Sequence, residues 1–176
     1  MWEVWEDGED QITSYCALSR PAYANITHQF LMTTQLELSE IQDYQQLLPN
    51  DTQIQKALTT IEDNDGDLEA AFDRLWQEKF GQVNYGAKKS LLKLTLEEIR
   101  TEICGDEGLR GKIKEHTKDP KSASLLNSII GSLVTVAALN GIPIDGAIAT
   151  VVALYILKIG VNVYCKYTEP DSESNN

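Results

Sequence analysis

Residues 122–144, SASLLNSIIGSLVTVAALNGIPI, and residues 145–165, DGAIATVVALYILKIGVNVYC, decide the fold of this chain. The first stretch contains 23 consecutive residues without a charge, and the second is almost as apolar. The Asn-Gly-Ile-Pro sequence at 140–143 is typical of a turn, because proline and glycine interrupt helices. We therefore predict two helices, over about 123–139 and 145–165, which together form an apolar helical hairpin.

This hairpin (residues 123–165) is either buried in the core of a protein or inserted into a membrane. Small side chains recur along both helices, and they let helix backbones approach closely in membranes and in soluble cores alike. They are Ser128, Ser132, Ala137, Gly146, Thr150, Ala153 and Gly160. A bilayer span needs about 20 apolar residues, and neither predicted helix contains more apolar residues than that. Placing the charge of Lys158 in hydrocarbon would also cost on the order of 3 kcal/mol. The sequence favours a hairpin that is buried in protein. A hairpin that inserts into a membrane is the alternative.

The charge of the chain restricts its partners. Its 176 residues include 27 acidic and 15 basic side chains, which gives a net charge of −12. That charge repels a phosphate backbone and the basic residues form no cluster, so we expect no nucleic-acid partner. Charge-driven binding to an anionic membrane is disfavoured as well, because helices that bind in this way carry Lys and Arg. The acidic N-terminus, MWEVWEDGED, does not resemble a signal peptide, so a cytoplasmic location is expected.

The cysteines and histidines give little basis for catalysis. Cys16, Cys104 and Cys165 are widely spaced and odd in number, so we expect reduced thiols rather than a disulfide framework. His28 and His116 each follow a cysteine by twelve positions. A thiol enzyme that uses Cys16 or Cys104 therefore stays an alternative, although neither cysteine has a local nucleophile signature. We predict that the chain is not an enzyme.

Metal and cofactor sites are not predicted either. If Gly66 is taken as the sixth position of a calcium-binding loop, the first and last positions are Ile61 and Phe72, whose side chains cannot bind calcium. Two histidines and three scattered cysteines do not form a zinc-binding pattern. Glycine-rich phosphate-binding motifs and the G-x-S-x-G hydrolase motif do not occur in the sequence. The acidic residues around Gly66 are better explained as solvated turn and helix-cap residues.

Two capping-box patterns mark expected helix starts. In this pattern, side chains three residues apart satisfy exposed amide groups of the first turn. Ser39-Glu-Ile-Gln42 has this spacing and predicts a helix over about 40–48. Thr95-Leu-Glu-Glu98 has it as well and predicts a helix that begins near residue 96 and stops before Gly105.

Aspartates mark two further helices. Asp51 can cap a second helix and Asp67 a third, because a carboxylate in this position accepts hydrogen bonds from the first free amides. Gly81 is the expected end of the third helix. Residues 36–81 therefore form a three-helix unit.

The whole chain is predicted to be mainly α. An N-terminal arm or β-hairpin occupies residues 1–35 and precedes the three-helix unit. A polar, glycine-containing linker follows at 82–89. Residues 90–168 form a four-helix bundle that consists of the helix beginning near 96, a shorter helix over about 107–116, and the two helices of the apolar hairpin. The acidic tail, 169–176, is expected to be disordered.

Residues 40–77 resemble a ubiquitin-associated-type (UBA-like) three-helix module. The matching positions are Leu47-Leu48 at the end of the first helix, Thr60-Ile61, the run Asp65-Gly66-Asp67-Leu68-Glu69-Ala70-Ala71, and Leu75. The resemblance covers under a quarter of the chain and implies a small protein-binding fold. Members that bind ubiquitin present a Met-Gly-Phe-type loop between the first two helices, whereas this chain has Asn50-Asp51-Thr52. The resemblance therefore does not imply ubiquitin binding.

These patterns favour a non-catalytic interaction module, an adaptor or a small regulatory subunit that binds a protein partner through apolar helical faces. The candidate partner-binding residues are Leu75, Trp76, Phe80 and Tyr85. The alternative is a membrane-active effector or anchor that inserts the hairpin at 123–165. The small residues of that hairpin also offer a helix–helix surface for a homo-oligomer.

Overall fold

The computed structural model describes residues 34–81, 90–105 and 108–168. In those ranges the protein is mainly α-helical, with nine helices and no strand. The helices are α1 (Leu38–Leu47), α2 (Thr52–Asp63), α3 (Leu68–Phe80), α4 (Leu91–Glu98), α5 (Arg100–Cys104), α6 (Leu109–Lys118), α7 (Ala123–Leu139), α8 (Gly146–Ile159) and α9 (Val161–Tyr167). All of them belong to one unit that begins at Thr34. The predicted N-terminal arm, apart from its last two residues, and the predicted disordered tail lie outside the described residues.

Helix α8 lies at the centre of the described fold. It packs against α2, α3 and α7, and every residue from Ala147 to Ile156 is buried. A helix that is apolar on all sides is stable in a soluble domain only where other elements cover all of its faces. This position explains why the sequence carries no charge between Asp145 and Lys158. Side chains of the neighbouring helices surround α8 in the structure.

The hairpin follows the sequence prediction in its first helix and departs from it in its second. Helix α7 has the predicted bounds. The predicted continuous helix over 145–165 is wrong, because α8 ends at Ile159 and the shorter α9 begins at Val161. Gly160 separates them with φ +82°. This left-handed conformation ends a helix, and glycine adopts it without steric cost.

The sequence left open whether the two predicted helical groups pack on each other. In the structure they share one hydrophobic core, and an ion pair joins them near each end of α8. The Lys158 ammonium lies 2.7 Å from a Glu40 carboxylate oxygen, and the Lys79 ammonium lies 2.8 Å from an Asp145 carboxylate oxygen. Both charges of the hairpin are therefore neutralised at the protein surface. The predicted linker at 82–89 lies outside the described residues, and the domain boundaries stay predictions.

The predicted caps of α2 and α3 are confirmed. The Asp51 side chain accepts hydrogen bonds from the amides of Gln53 and Ile54, at 3.0 and 3.1 Å. The Asp67 side chain does the same at the start of α3, and Gly81 follows the last residue of that helix. Single aspartates with strong capping preference therefore identified both helix starts.

The first capping box is displaced from its predicted position. Helix α1 begins at Leu38, because the Glu40 carboxylate accepts a hydrogen bond from the Glu37 amide at 2.8 Å. Ser39, the predicted cap, lies inside the helix instead. Leu36 just before the cap is buried and donates its amide to the Gly66 carbonyl at 2.9 Å. This tertiary contact fixes where the chain enters α1.

The second predicted capping box is wrong. Thr95 is buried within α4, and the helix begins at Leu91 with Ser90 as its cap. The Ser90 hydroxyl oxygen accepts a hydrogen bond from the Lys93 amide at 3.3 Å. The chain bends at Ile99 before α5, and α6 begins at 109, two residues later than predicted. Apolar residues at helical spacing start before Thr95, so core packing decided the helix start.

A close backbone contact holds the turn between α2 and α3. Gly66 has φ +83°, and a Cβ at this position would overlap the carbonyl oxygen of Leu36. The Leu68 amide donates to the Thr34 carbonyl at 3.4 Å in the same place. Glycine is therefore required at position 66 both for its conformation and for its missing side chain.

Candidate functional site

A groove runs along α1, where the turn at residues 120–121 comes close to this helix. Its volume is about 460 Å³. The lining residues are Glu40, Asp43, Tyr44, Gln46, Leu47, Pro120 and Lys121. We call it the α1 groove.

The apolar part of the α1 groove comes from Tyr44 and Leu47. Both side chains are partly buried, whereas Ile41 and Leu48 on the inner side of α1 belong to the core. Tyr44 and Leu47 are three residues apart and therefore neighbours on the helix surface. The helix thus presents an aromatic ring and an aliphatic side chain beside each other at the groove.

The Tyr44 hydroxyl stays protonated at neutral pH. Burial raises its pKa above the ordinary value, and the negative charges of Glu40 and Asp43 raise the pKa further. A protonated phenol can both donate and accept a hydrogen bond. The groove therefore contains one neutral polar group within its apolar part.

Glu40 is already engaged by the protein itself. Burial alone would raise the pKa of its carboxyl, but hydrogen bonds from Lys158 and from the Glu37 amide outweigh that effect and lower the pKa. Both carboxylate oxygens lie within 2.9 Å of the Lys158 ammonium. The acid in the groove that remains fully exposed is Asp43.

The surroundings of the α1 groove are strongly acidic. Residues 34–81 contain eleven acidic and three basic side chains. Lys121 lines the groove from the other side and is exposed. The lining of the groove therefore combines the exposed acid Asp43 and the exposed base Lys121 with apolar side chains of α1.

A second groove lies between α6 and α7, with a volume of about 470 Å³. Its lining residues are Glu102, Gly108, Leu109, Lys112, Ser128, Gly131, Ser132, Thr135 and Val136. The Lys112 ammonium donates to the Ser132 hydroxyl at 2.7 Å. One acid, one base and small side chains give this groove no charge asymmetry that would indicate a class of partner.

A smaller cavity of about 190 Å³ lies at the start of α8. Two ion pairs occupy its edges: Lys56 with Glu78 at 2.7 Å and Lys79 with Asp145 at 2.8 Å. Burial alone would raise the pKa of Asp145, but hydrogen bonds from Lys79 and the Ile148 amide lower it. These charges neutralise each other, so the cavity is explained by the packing of α8 against α2 and α3.

The structure separates the four predicted partner-binding residues. Leu75 and Trp76 are only 3% and 8% exposed, so they belong to the core and offer a partner almost no surface. The Trp76 ring packs on the rings of Phe72 and Phe80, with centroids 5.7 and 4.8 Å apart. Phe80 itself is 39% exposed, and Tyr85 lies outside the described residues. The apolar stripe that predicted a binding face on α3 is mostly the inner face of the helix, which packs in the core.

The prediction of reduced thiols is wrong for two of the three cysteines. Cys104 and Cys165 form a disulfide in the structure, with Cα atoms 5.5 Å apart. Cys104 therefore carries no free thiol in this state, and Cys16 lies outside the described residues. His116 is 2% exposed, and its Nε2 atom has no hydrogen-bond partner. Sequence spacing could not show that α9 brings Cys165 next to α5.

Metal binding and membrane spanning each require a particular arrangement of side chains, which can be judged for the described residues. There, no group of three or more His, Cys, Asp or Glu side chains is arranged to hold a metal ion. Among the helices of the described ranges, none has the length and apolar character needed to cross a bilayer.

The sequence could have indicated only part of the α1 groove. Tyr44 lies within the helix that the sequence predicts over about 40–48, but nothing in the sequence pairs α1 with Pro120 and Lys121. Comparison of the chain with protein-family models, curated proteins and solved structures found no match.

Proposed function

We propose that the protein is a non-catalytic interaction module, and that its α1 groove binds a short segment of a partner protein. The segment carries an aliphatic side chain next to a lysine or arginine. The observation that carries this proposal is the pairing of an apolar surface, Tyr44 and Leu47, with the exposed acid Asp43 on the same helix.

Charge and burial assign different roles to the two parts of the groove. The acidic surface of residues 34–81 attracts a basic segment and speeds its encounter with the groove. Burial of one aliphatic side chain against Tyr44 and Leu47 then supplies about 1.5–3 kcal/mol. The positive charge of Lys121 repels a basic side chain of the partner, so that side chain lies at Asp43 instead.

The UBA-like resemblance is compatible with this role but names no partner. The α1 groove includes Leu47, one of the matching positions of that resemblance. The following segment, Asn50-Asp51-Thr52, is exposed and polar. We therefore propose a partner other than ubiquitin, and a cytoplasmic location remains part of the proposal.

The position of α8 supports a role in protein binding over membrane insertion. To enter a bilayer, α8 would have to leave α2 and α3 and break its two ion pairs, Lys158 with Glu40 and Lys79 with Asp145. Each step exposes apolar surface or an unpaired charge. No comparable rearrangement is needed for a segment to bind in the α1 groove.

A randomised peptide library displayed on phage tests the proposal. We expect the purified chain to enrich peptides that combine Lys or Arg with Leu, Ile or Val, and synthetic copies give affinities by fluorescence anisotropy. Asp43→Lys should weaken binding about tenfold or more by reversing the charge at the basic residue. Gln46→Trp, at an exposed lining position, should block the groove.

Glu98→Lys is the matched control for this experiment. It makes the same charge change at an exposed position on α4 that does not line the groove. It should leave affinity within about twofold, apart from a small long-range effect that salt removes. Failure to enrich any such peptide, or binding that both groove variants leave unchanged, would refute the proposal.

A further inference from the structure

The disulfide joins α9 to a distant part of the chain. Cys104 is the last residue of α5 and Cys165 lies within α9, at a sequence separation of 61. Helix α9 packs against α5, α6 and α8. The bond therefore holds the last described helix onto the middle of the chain.

Two arginines donate hydrogen bonds around α9 in the described part of the chain. Arg100 donates to the Cys165 carbonyl at 3.2 Å and to the Thr168 hydroxyl at 2.9 Å. Arg110 donates to the Cys104 carbonyl at 3.0 Å and to the Asn162 side chain at 3.3 Å. Most of these bonds are partly exposed to solvent, so water can replace them at small cost.

The apolar anchor of α9 is small. Val161 and Tyr164 are 5% and 4% exposed, and the Tyr164 hydroxyl donates to the Leu96 carbonyl at 2.6 Å. The helix itself has 7 residues, and isolated helices shorter than about 12 residues are marginal in water. Helix α9 therefore depends on its attachment to α5.

A single glycine separates α9 from α8. Gly160 has φ +82°, with no atom within 4 Å of the position where a Cβ would lie. On its other side, α8 is enclosed by α2, α3 and α7. Rotation about Gly160 would therefore move α9 without moving α8.

The two cysteine residues differ in their exposure to solvent. Cys104 is partly exposed, whereas Cys165 is 7% exposed. A thiolate attacks the sulfur that it can reach, so attack occurs at Cys104. Positive charge from Arg100 on the backbone of Cys165 favours the thiolate that leaves.

We propose that the Cys104–Cys165 disulfide is a reversible redox site for a dithiol reductant, and that its reduction releases α9. This site is separate from the α1 groove, so it stands independently of the proposed function. In a reducing compartment, disulfides that do form are usually transient and redox-controlled, and a dithiol there would act on this bond.

The exchange balances as a two-electron reduction. One thiolate of the reductant forms a bond with the Cys104 sulfur, the Cys104–Cys165 bond breaks, and Cys165 leaves as a thiolate that takes a proton from water. The second thiol of the reductant then attacks the mixed disulfide, and Cys104 leaves and is protonated in turn. The protein gains two electrons and two protons, and the dithiol becomes its cyclic disulfide.

Amide hydrogen exchange of the full chain, with and without dithiothreitol, tests this inference. Cys16→Ser in all samples removes the third cysteine from the exchange chemistry. On reduction, we expect amides of residues 161–167 to lose protection by about a hundredfold or more, because α9 opens locally. Amides in the centre of α8 should stay protected, and oxidised dithiothreitol should restore the protection of α9.

The triple variant Cys16→Ser/Cys104→Ser/Cys165→Ser provides the matched control. It should show the unprotected α9 without reductant and should not respond to dithiothreitol. The inference is overturned if dithiothreitol leaves the bond intact under native conditions. It is also overturned if α9 remains as protected as α8 in the reduced protein, since the bond would then be a structural cross-link only.

Discussion

Gly66 is the residue with the least tolerance for a side chain in the described fold. Its left-handed backbone would strain any L-residue, and a Cβ would overlap the Leu36 carbonyl oxygen. We expect Gly66→Ala to lower the free energy of unfolding by about 2–4 kcal/mol, since backbone strain and overlap add together. Urea unfolding followed by circular dichroism measures this loss.

Gly141→Ala is the control that separates the two effects. Gly141 also has positive φ, +72°, but no atom lies within 4 Å of its would-be Cβ. Its substitution should cost only about 1 kcal/mol, the conformational part alone. Equal losses in the two variants would show that the contact with Leu36 contributes nothing.

His116 should make stability depend on pH. Burial lowers the pKa of its imidazole below the ordinary value of 6.5, and the negative charge of Asp119 only partly opposes this shift. The unfolded chain therefore binds a proton more readily than the folded protein. Stability from this group is present above pH about 6.5 and is lost as the pH falls from there towards the lower folded-state pKa.

The pH effect can be assigned to one side chain by substitution. We expect His116→Gln to flatten the change in free energy of unfolding between pH about 7 and 5, measured by urea titration at several pH values. A slope that survives in the His116 variant would place the proton uptake at another group.

At the scale of single residues, local chemistry predicted some features and not others. Asp51 and Asp67 were recognised as caps because a carboxylate before an apolar run has few other roles. Ser39 and Thr95 also matched a capping pattern, but the amides that they would cap are inside helices. The difference is tertiary: Leu36 is fixed by the Gly66 carbonyl, and Thr95 is buried. These tertiary contacts cannot be predicted from the residues that neighbour Ser39 and Thr95 in the sequence.

At the scale of elements, long apolar helices were the most predictable. The bounds of α7 match because a charged residue or a turn borders it on each side. The break at Gly160 was missed, since the apolar pattern continues across it into α9. The end of α8 is decided by backbone conformation rather than by polarity. The apolar pattern also does not show that α9 packs against α5, so the disulfide could not be predicted from it.

The α1 groove is also an element-scale feature that the sequence shows only in part. Tyr44 and Asp43 are adjacent on α1, within the helix that the sequence predicts over about 40–48. Pro120 and Lys121 complete the groove from a turn more than seventy residues away in the chain. Such a site becomes visible only when the packing of distant elements is known.

At the scale of the whole molecule, the two predicted helical groups depend on each other. Helices α2 and α3 both pack against α8, so residues 34–81 alone would expose the surface that α8 covers. We expect the isolated 34–81 fragment to lack a cooperative thermal transition by circular dichroism and to bind a hydrophobic dye. The fragment is too small to compensate for that exposed area with its own core.

The fragment 34–168 serves as the comparison for this prediction. It contains all described helices and should unfold in a single cooperative transition. If the 34–81 fragment also melts cooperatively and binds no dye, then the three-helix unit is an independent domain. The predicted boundary at 82–89 would then separate two autonomous units.

The central position of α8 has a consequence for biosynthesis. The ribosome synthesises α2 and α3 well before α8. The inner faces of these two helices are therefore exposed until α8 has been translated. Contacts between elements so far apart in sequence form slowly, and nascent chains with exposed apolar faces are prone to aggregate. We expect productive folding to be largely post-translational, with chaperones shielding the first three helices until α8 has left the exit tunnel.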